Sequence, residues 1–419
     1  MEKLDFLFLY EHKVRELESL CLAKYELDRR GYRTKIVYID SEENMLAVKP
    51  LYDTKVVCMM ACYNNHTAWW HVQDYVKFEK IIDLQWENIV YPKDEEREGA
   101  FKNYSEIGKE VVHVSWGKMN ERRLLNAAHL DRDKVKLTGH MGMDYLRPPL
   151  DKYYVSREEL FKKYNLPVDC KAILFASTYY GDSLPQSYID DMCRRFGDDW
   201  TVYYKFMLDS QKIVIDWFIK LIKTDPDIHV IYRPHPGHPT NIALETEKNN
   251  PQFHVIADES VKQWILTCDK IYTGNGSVVV EAFFAKKMCG LLFPLPVTEG
   301  YELKLVSNAT HIKTYEEFEK SANAEKEDFP VPEENIEEIY LIDWENYNFR
   351  KFADMAEEVL KDDKYNIPKK IKKAIYPYTF KDKVIKALCR ITPVYNIYLK
   401  MLNDENNKSA FIVNQRKKR

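Results

Sequence analysis

Glycine is scarce in this sequence, thirteen in 419 residues, and no three of them are spaced as Gly-x-Gly-x-x-Gly. A Walker-type phosphate loop is missing as well. These two absences argue against a nicotinamide enzyme and against an NTPase built on such a loop. There is no Ser-nucleophile elbow and no His-Glu-x-x-His pair. The eight cysteines form no Cys-x-x-Cys pair, and most lie in apolar surroundings, which suggests buried thiols in a reducing cytoplasm rather than a disulfide framework. No stretch approaches the roughly 20 uninterrupted apolar residues of a membrane span. Residues 1–10 are too short and too acidic for a signal peptide and read as a strand.

What is present is a soluble composition, 45% apolar and 31% charged, with 29 tyrosines. The length predicts two domains of about 150–200 residues each. The net charge of −4 hides an asymmetry. Residues 366–419 hold fourteen Lys/Arg against three acids, a surplus of eleven, which leaves the preceding 365 residues at about −15. A basic tail on an acidic body suggests an anionic surface as partner.

The order of elements sets the class. "LDFLFLY" reads as a buried parallel strand, and a helix follows with Val14, Leu17, Cys21 and Tyr25 at helical spacing, stopping at Gly31. "KIVYI" is the next strand, completing a βαβ unit. Further strands are expected at 54–61, 80–84, 111–116 and 134–139, with helices near 67–76 and 118–129. After Pro148-Pro149 and a short helix comes a second series, with strands at 171–177, 228–233, 253–257, 270–274 and 289–295. Helices are expected at 205–224, 259–267 and 276–287. Residues 315–345 look acid-rich and irregular, while 349–361 and 382–402 look helical. The expectation is α/β, with two doubly wound domains at 1–150 and 151–345 and a helical, basic tail at 346–419.

In parallel sheets ligands bind beyond the C-terminal strand ends, so chemistry is sought there. "IHVIYRPHPGHPTN" ends a strand in a proline-stiffened loop carrying Arg233 and His235. A guanidinium so held suits a phosphate, with the imidazole adding a hydrogen bond. A proline-bent loop whose arginine meets a surface carboxylate is the plainer alternative. A zinc site on His235 and His238 lacks a Cys or acid to complete it. "DKIYTGNGSVVVEAFF" runs from a strand into a helix through Gly274, Gly276 and Ser277. The glycines admit close approach, Ser277 suits a cap, and the helix start attracts phosphate. Glu281, one turn on, could accept from a ribose diol. In the first domain, Gln85, Trp86 and Glu87 follow a buried strand. Glu87 is either a general base facing the interdomain cleft or a salt-bridged surface acid. The strand-end loops at 115–125 and 138–148, with Gly117, Lys118 and Asp144, are candidates to line the same cleft. No Asp-x-Asp metal motif stands at a strand end.

The series "LQWEN", "SWGK", "DKVKLTGHMGMDYLRP", "ILFAS", "IYRPHPGHP" and "GNGSVVVEAFFAKK" with a later "FPLP" resembles the bacterial surface-carbohydrate biosynthesis glycosyltransferases. It is similar to capsule Kdo transferases and to the CDP-glycerol glycerophosphotransferases of teichoic acid synthesis. The likeness spans residues 5–300. It implies the GT-B architecture, two Rossmann-like domains facing a cleft, with acceptor in the first and nucleotide donor in the second. By that resemblance Arg233, His235, Gly276 and Ser277 hold the donor's phosphates, Gly274 belongs to the same donor site, and Glu281 lies near the ribose. The polyol-phosphate polymerases carry His-Gly-Thr in the first domain. Here the nearest counterpart is Asn65-His66-Thr67, which leaves His66 and Glu87 as rival bases. Met141 stands where relatives often have proline.

The implied activity moves a sugar from a nucleotide-activated donor to a cell-surface polysaccharide. The donor is a substrate, and no cofactor or resident metal is implied. A CDP-polyol phosphotransferase, a nucleotide-sugar 2-epimerase and a non-catalytic nucleotide-binding module are the alternatives. The expected partners are the nucleotide sugar and a glycan or lipid-linked acceptor, with no nucleic acid. The interleaved Lys/Arg and apolar residues of 380–402 suggest a cytoplasmic protein lying peripherally on the anionic inner membrane.

Overall fold

A computed structural model of the chain describes residues 1–45, 47, 49–86, 88–93, 104–180, 182, 184–235, 240–376, 384 and 388. The continuous apolar runs form strands where periodicity places them. β1 (Glu2–Tyr10), β2 (Thr34–Tyr38), β3 (Tyr52–Met59), β4 (Val76–Asp83), β5 (Val112–Ser115) and β6 (Val135–Leu137) make one sheet in the order β2-β1-β3-β4-β5-β6. β7 (Lys171–Ala176), β8 (Ile228–Arg233), β9 (Phe253–Val255), β10 (Lys270–Thr273), β11 (Cys289–Leu292) and β12 (His311–Ile312) make a second, ordered β12-β11-β10-β7-β8-β9. Every pairing is parallel. In each sheet the first strand is flanked on both sides by later ones. Strand order therefore reverses between β1 and β3, and between β7 and β10. A crevice opens at the C-terminal ends of those pairs.

A central parallel strand must be covered on both faces. Phe6, Leu7, Phe8 and Leu9 of β1 are fully buried, and one cover is the helix Glu18–Arg29. The face of that helix differs from the expectation. Val14 is 57% exposed, Tyr25 63%, and Cys21 is exposed, whereas Leu20, Ala23 and Leu27 are buried together with Glu16, Ser19 and Glu26. The polar residues on the buried stripe hide it from an apolar count. Gly31 does end the helix, at φ +89, with Tyr32 N–H donating to the Leu27 carbonyl. Of the seven described cysteines five are buried. Residues 315–345 are not irregular, since helices Tyr315–Asn323 and Glu333–Ile339 lie there. Helices Gln186–Phe196 and Asn241–Asn249 were also unexpected. The expected helix at 382–402 falls outside the described residues, Val384 and Leu388 excepted.

The chain ends by crossing back. Helix Asn348–Lys361 packs on the first sheet, with Phe352 against Phe8 at 6.2 Å. Arg30 pairs with Asp354 at 2.7 Å and Lys136 with Glu358 at 2.8 Å. Thus the described start of the third segment is part of the first lobe's packing. The crossing is clasped by Asp144 and Arg147. Asp144 accepts from Phe349 N–H at 2.8 Å, and Arg147 donates to the carbonyls of Trp344 and Asn346 at 2.6 and 3.2 Å. Asp144 therefore caps the returning helix and does not line a cleft. Its carboxyl is fully buried and is pushed up to about 7, chiefly by desolvation, against the pull of the Phe349 and Asn348 N–H groups.

A pH prediction follows from that raised value. At low pH the carboxyl is protonated in both states. As pH rises from about 4 the unfolded chain ionises readily while the folded one resists, so stability is lost up to about pH 7 and is level above it. Asp144→Asn should remove this slope. Urea midpoints of both proteins between pH 4 and 8 should diverge in favour of the variant, and parallel curves would refute the assignment.

Candidate functional site

The switch point of the second sheet is built by three segments. β7 leads into Ser177-Thr178-Tyr179, β8 into Arg233-Pro-His235, and β10 into Gly274-Asn275-Gly276-Ser277. The two glycines pack directly on the β7 loop. A Cβ on Gly274 would lie 2.5 Å from Thr178 Oγ1, and one on Gly276 would lie 2.4 Å from Thr178 Cγ2. Asn275 clamps a further loop, donating to the Tyr301 carbonyl at 2.5 Å and accepting from Leu303 N–H at 3.0 Å. Ser277 precedes helix Val278–Phe284 but makes no side-chain cap bond, contrary to the expectation, because its own backbone is already helical.

Beneath the β7 loop runs a buried polar chain. Tyr232 OH donates to Ser177 Oγ at 3.0 Å. Gln211 Nε2 reaches Tyr232 OH and Thr240 Oγ1, and Thr240 Oγ1 donates to Asp182 at 3.2 Å. Around it Thr178 Oγ1, Asp182 Oδ1 and Gln211 Oε1 are buried with no hydrogen-bond partner among the described residues. Buried polar atoms are rarely left so, and several in one strand-end crevice indicate a place for a polar ligand or ordered water.

Arg233 is not presented as an open grip. It is 6% exposed, and its guanidinium donates to the carbonyls of Asp258 and Glu259 at 2.7 and 2.5 Å. A guanidinium at a covered strand end takes the nearest carbonyls, and here it fixes the loop leading to helix Val261–Thr267. Burial lowers its pKa, countered first by Glu281. His235 is half-buried, its ring 5.1 Å from that of Tyr180. His238 lies outside the described residues.

Glu281 is buried, and desolvation raises its pKa against the pull of Lys262 at 3.7 Å. Lys262, itself 7% exposed, also lies 3.5 Å from Glu18 of the first lobe. Glu18 in turn accepts from Ser260 Oγ at 3.1 Å and Tyr154 OH at 3.0 Å. This ionic link between the lobes was invisible in sequence, since its members stand more than 240 positions apart. A tyrosine cluster adds a second link. Tyr203 stacks on Tyr301 at 4.3 Å and donates to Tyr91 OH at 2.9 Å.

The first lobe's strand ends hold the remaining candidates. Trp86 is buried, packing on Trp116 and on His140 at 5.2 Å, and its indole N–H has no partner among the described residues. His140 is held down to about 3 by burial and by the Lys262 ammonium, so it stays neutral. Gly117 does not line an open cleft. A Cβ there would lie 2.4 Å from the Ile339 carbonyl carbon, and Leu341 N–H donates to the Trp116 carbonyl. Lys118 is on the surface, 3.4 Å from Glu337. His66 is exposed at the start of helix Asn65–Val72, whose cap is Asn64, and Glu87 lies outside the described residues. Sequence reading missed the buried set below Trp86, where Asp83 stands 3.0 Å from His113 and Gln85 bridges the two. A cavity of about 540 Å³ opens between the lobes beside Arg122, Arg123, Lys304 and Ser307. Among the described residues no three His, Cys, Asp or Glu side chains gather as a metal site, and no helix is long and apolar enough to cross a membrane.

No protein-family model matches the chain, and no curated protein does. Solved structures do match. The wall teichoic acid polymerase TagF in its H548A form covers 85% of this chain with 89% of its own, at 14% identity and a TM-score of 0.53. TagF without that substitution gives the same coverage and identity with a TM-score of 0.52. Its H444N form soaked with CDPG gives 85% and 89% coverage, 13% identity and a TM-score of 0.50. At such identities the likeness speaks for the fold. The chain has the two-domain α/β GT-B fold.

Proposed function

We propose that this protein is a glycosyltransferase that moves a sugar from a nucleotide-activated donor to a cell-surface polysaccharide acceptor. The observation that carries the reading is the cluster of unpartnered buried polar atoms, Thr178 Oγ1 foremost, at the β7/β10 switch point beside the Gly274–Ser277 turn. In this reading the donor's phosphates lie against the Gly274–Ser277 turn, at the backbone N–H of Ser277, since the Gly276 N–H donates to the Gly274 carbonyl at 3.0 Å, with His235 at the side. The ribose meets Glu281, and Arg233 shapes the neighbouring loop. The leaving phosphate's charge is met by these backbone dipoles and His235 without a resident metal. The acceptor approaches from the first lobe, near Trp86 and Lys118. Capsule or lipopolysaccharide assembly is the setting we infer, with the protein cytoplasmic and peripheral on the inner membrane. Exposed Lys369, Lys370 and Lys373 on the helix Lys369–Ile375 support that placement.

The test is a thermal-shift panel of CMP, CDP, UDP, GDP and dTDP on wild type, Thr178→Val and Glu281→Gln. One nucleotide at a hundredfold excess over its Kd should stabilise wild type by about 2.7 kcal/mol, and both variants should lose most of that. UDP, GDP or dTDP would mark a hexose donor, CMP a Kdo or sialic acid donor, and CDP a polyol-phosphate donor. A wild type unmoved by all five at millimolar concentration would refute the donor site.

A further inference from the structure

The first sheet has a switch point too, between the ends of β1 and β3, and the chain there is built unusually. β1 ends at Tyr10. Glu11 and His12 follow, and then a single π-helical turn, Lys13–Leu17, before the helix Glu18–Arg29. Such turns are uncommon and recur at functional sites. Glu16, fully buried, holds the loop in place. Its Oε2 accepts from Glu11 N–H at 2.8 Å and from His12 N–H at 3.0 Å, while Arg15 stands 3.1 Å from its other oxygen. Glu18, one residue beyond the turn, touches Ser260 and Lys262, so this loop lies next to the second lobe.

The Glu11 backbone is held by Glu16, and its side chain is left over. It is half-buried, and its carboxylate makes no hydrogen bond or ion pair with a described residue. The charged groups around it are His12, Arg15 and Glu16 on its own loop and Asp40 beyond the end of β2. His71, buried on helix Asn65–Val72, lies close to Glu16 and Asp40. Burial, Glu16 and Asp40 together raise the Glu11 pKa, and His12 and Arg15 offset only part of this. A carboxylate with no partner among the described residues, on the strand-end loop that runs into Glu18 and its contacts with the second lobe, has the placement a proton acceptor requires.

We propose that Glu11 is the general base of the transfer, an assignment that rests on the glycosyltransferase reading above. Its carboxylate takes the proton of the acceptor hydroxyl as that oxygen bonds to the anomeric carbon. The bond from the anomeric carbon to the phosphate oxygen breaks, and the nucleoside phosphate leaves with the electron pair. The single displacement inverts the anomeric centre. Water in place of the acceptor gives slow hydrolysis by the same route, which supplies an assay.

The experiment measures nucleotide release from UDP-glucose, UDP-N-acetylglucosamine, GDP-mannose, dTDP-glucose and CMP-Kdo by wild type, Glu11→Gln and Glu11→Asp. For the donor that wild type hydrolyses, Glu11→Gln should be slower by about 100-fold and should lose the acid limb of the pH profile. Glu11→Asp should recover part of the rate, and the thermal shift with the matching nucleotide should be unchanged in both. A Glu11→Gln protein within threefold of wild type, with the acid limb intact, would overturn the base while leaving the donor site standing. Loss of the nucleotide shift in the variant would make Glu11 structural. A wild type inert towards all five donors would overturn the assignment as well.

Discussion

Asp83→Ala is expected to destabilise the first lobe by about 3–5 kcal/mol. Asp83 is wholly buried and accepts from Cys62 N–H at 2.9 Å, Gln85 N–H at 2.9 Å and Gln85 Nε2 at 2.6 Å. His113 closes the set, with Nε2 donating to the Gly108 carbonyl at 2.6 Å and Nδ1 facing Gln85 Nε2 at 3.1 Å. Removing the carboxylate orphans two main-chain donors and a carboxamide at once, each worth about 1–3 kcal/mol when left buried and unpaired. The same set fixes Gln85, whose φ of +52 turns the chain sharply towards Trp86. Urea unfolding measures the cost. Asp83→Asn, which keeps one acceptor, should lie between the alanine variant and wild type, and an alanine variant within 1 kcal/mol of wild type would contradict the account.

The second large effect is expected at Lys262. Lys262→Met should cost about 3 kcal/mol, the low end of what breaking a buried ion pair costs, because its two contacts are 3.5 and 3.7 Å rather than close bonds. Glu18 and Glu281 would then face each other without a cation between the lobes. The double variant Lys262→Met/Glu18→Gln should recover part of the loss by removing one of the stranded charges, and a double-mutant cycle reads that coupling. Strict additivity would show that Lys262 does not join the lobes. Nucleotide binding should weaken with the single variant, since Glu281 would then be protonated more readily.

The strands were readable in the sequence because a strand buried on both faces is apolar whatever lies beside it. "LDFLFLY" and "KAILFAS" needed no tertiary context. The faces and ends of helices were less so. The helix after β1 buries Glu16, Ser19 and Glu26, residues an apolar count assigns to solvent. The crevice at Gly274–Ser277 was found from its glycines, but the glycines answer first to Thr178, a neighbour that only the strand order reveals. Arg233 illustrates the limit most plainly. Its residue type suits a phosphate, yet in the fold two carbonyls stand closer. Asp144 and Gly117 stood in promising strand-end loops and serve instead to dock the returning chain. Glu11 drew no notice, because its significance lies in a switch point that a linear sequence does not display.

The central claim is that a nucleotide-activated donor sits at the β7/β10 switch point. Hydrogen exchange read by mass spectrometry, with and without the nucleotide that gives the largest thermal shift, tests it most directly. The account predicts slowed exchange confined chiefly to peptides covering 176–182 and 273–283. Protection restricted to the first lobe, or none at saturating nucleotide, would contradict it.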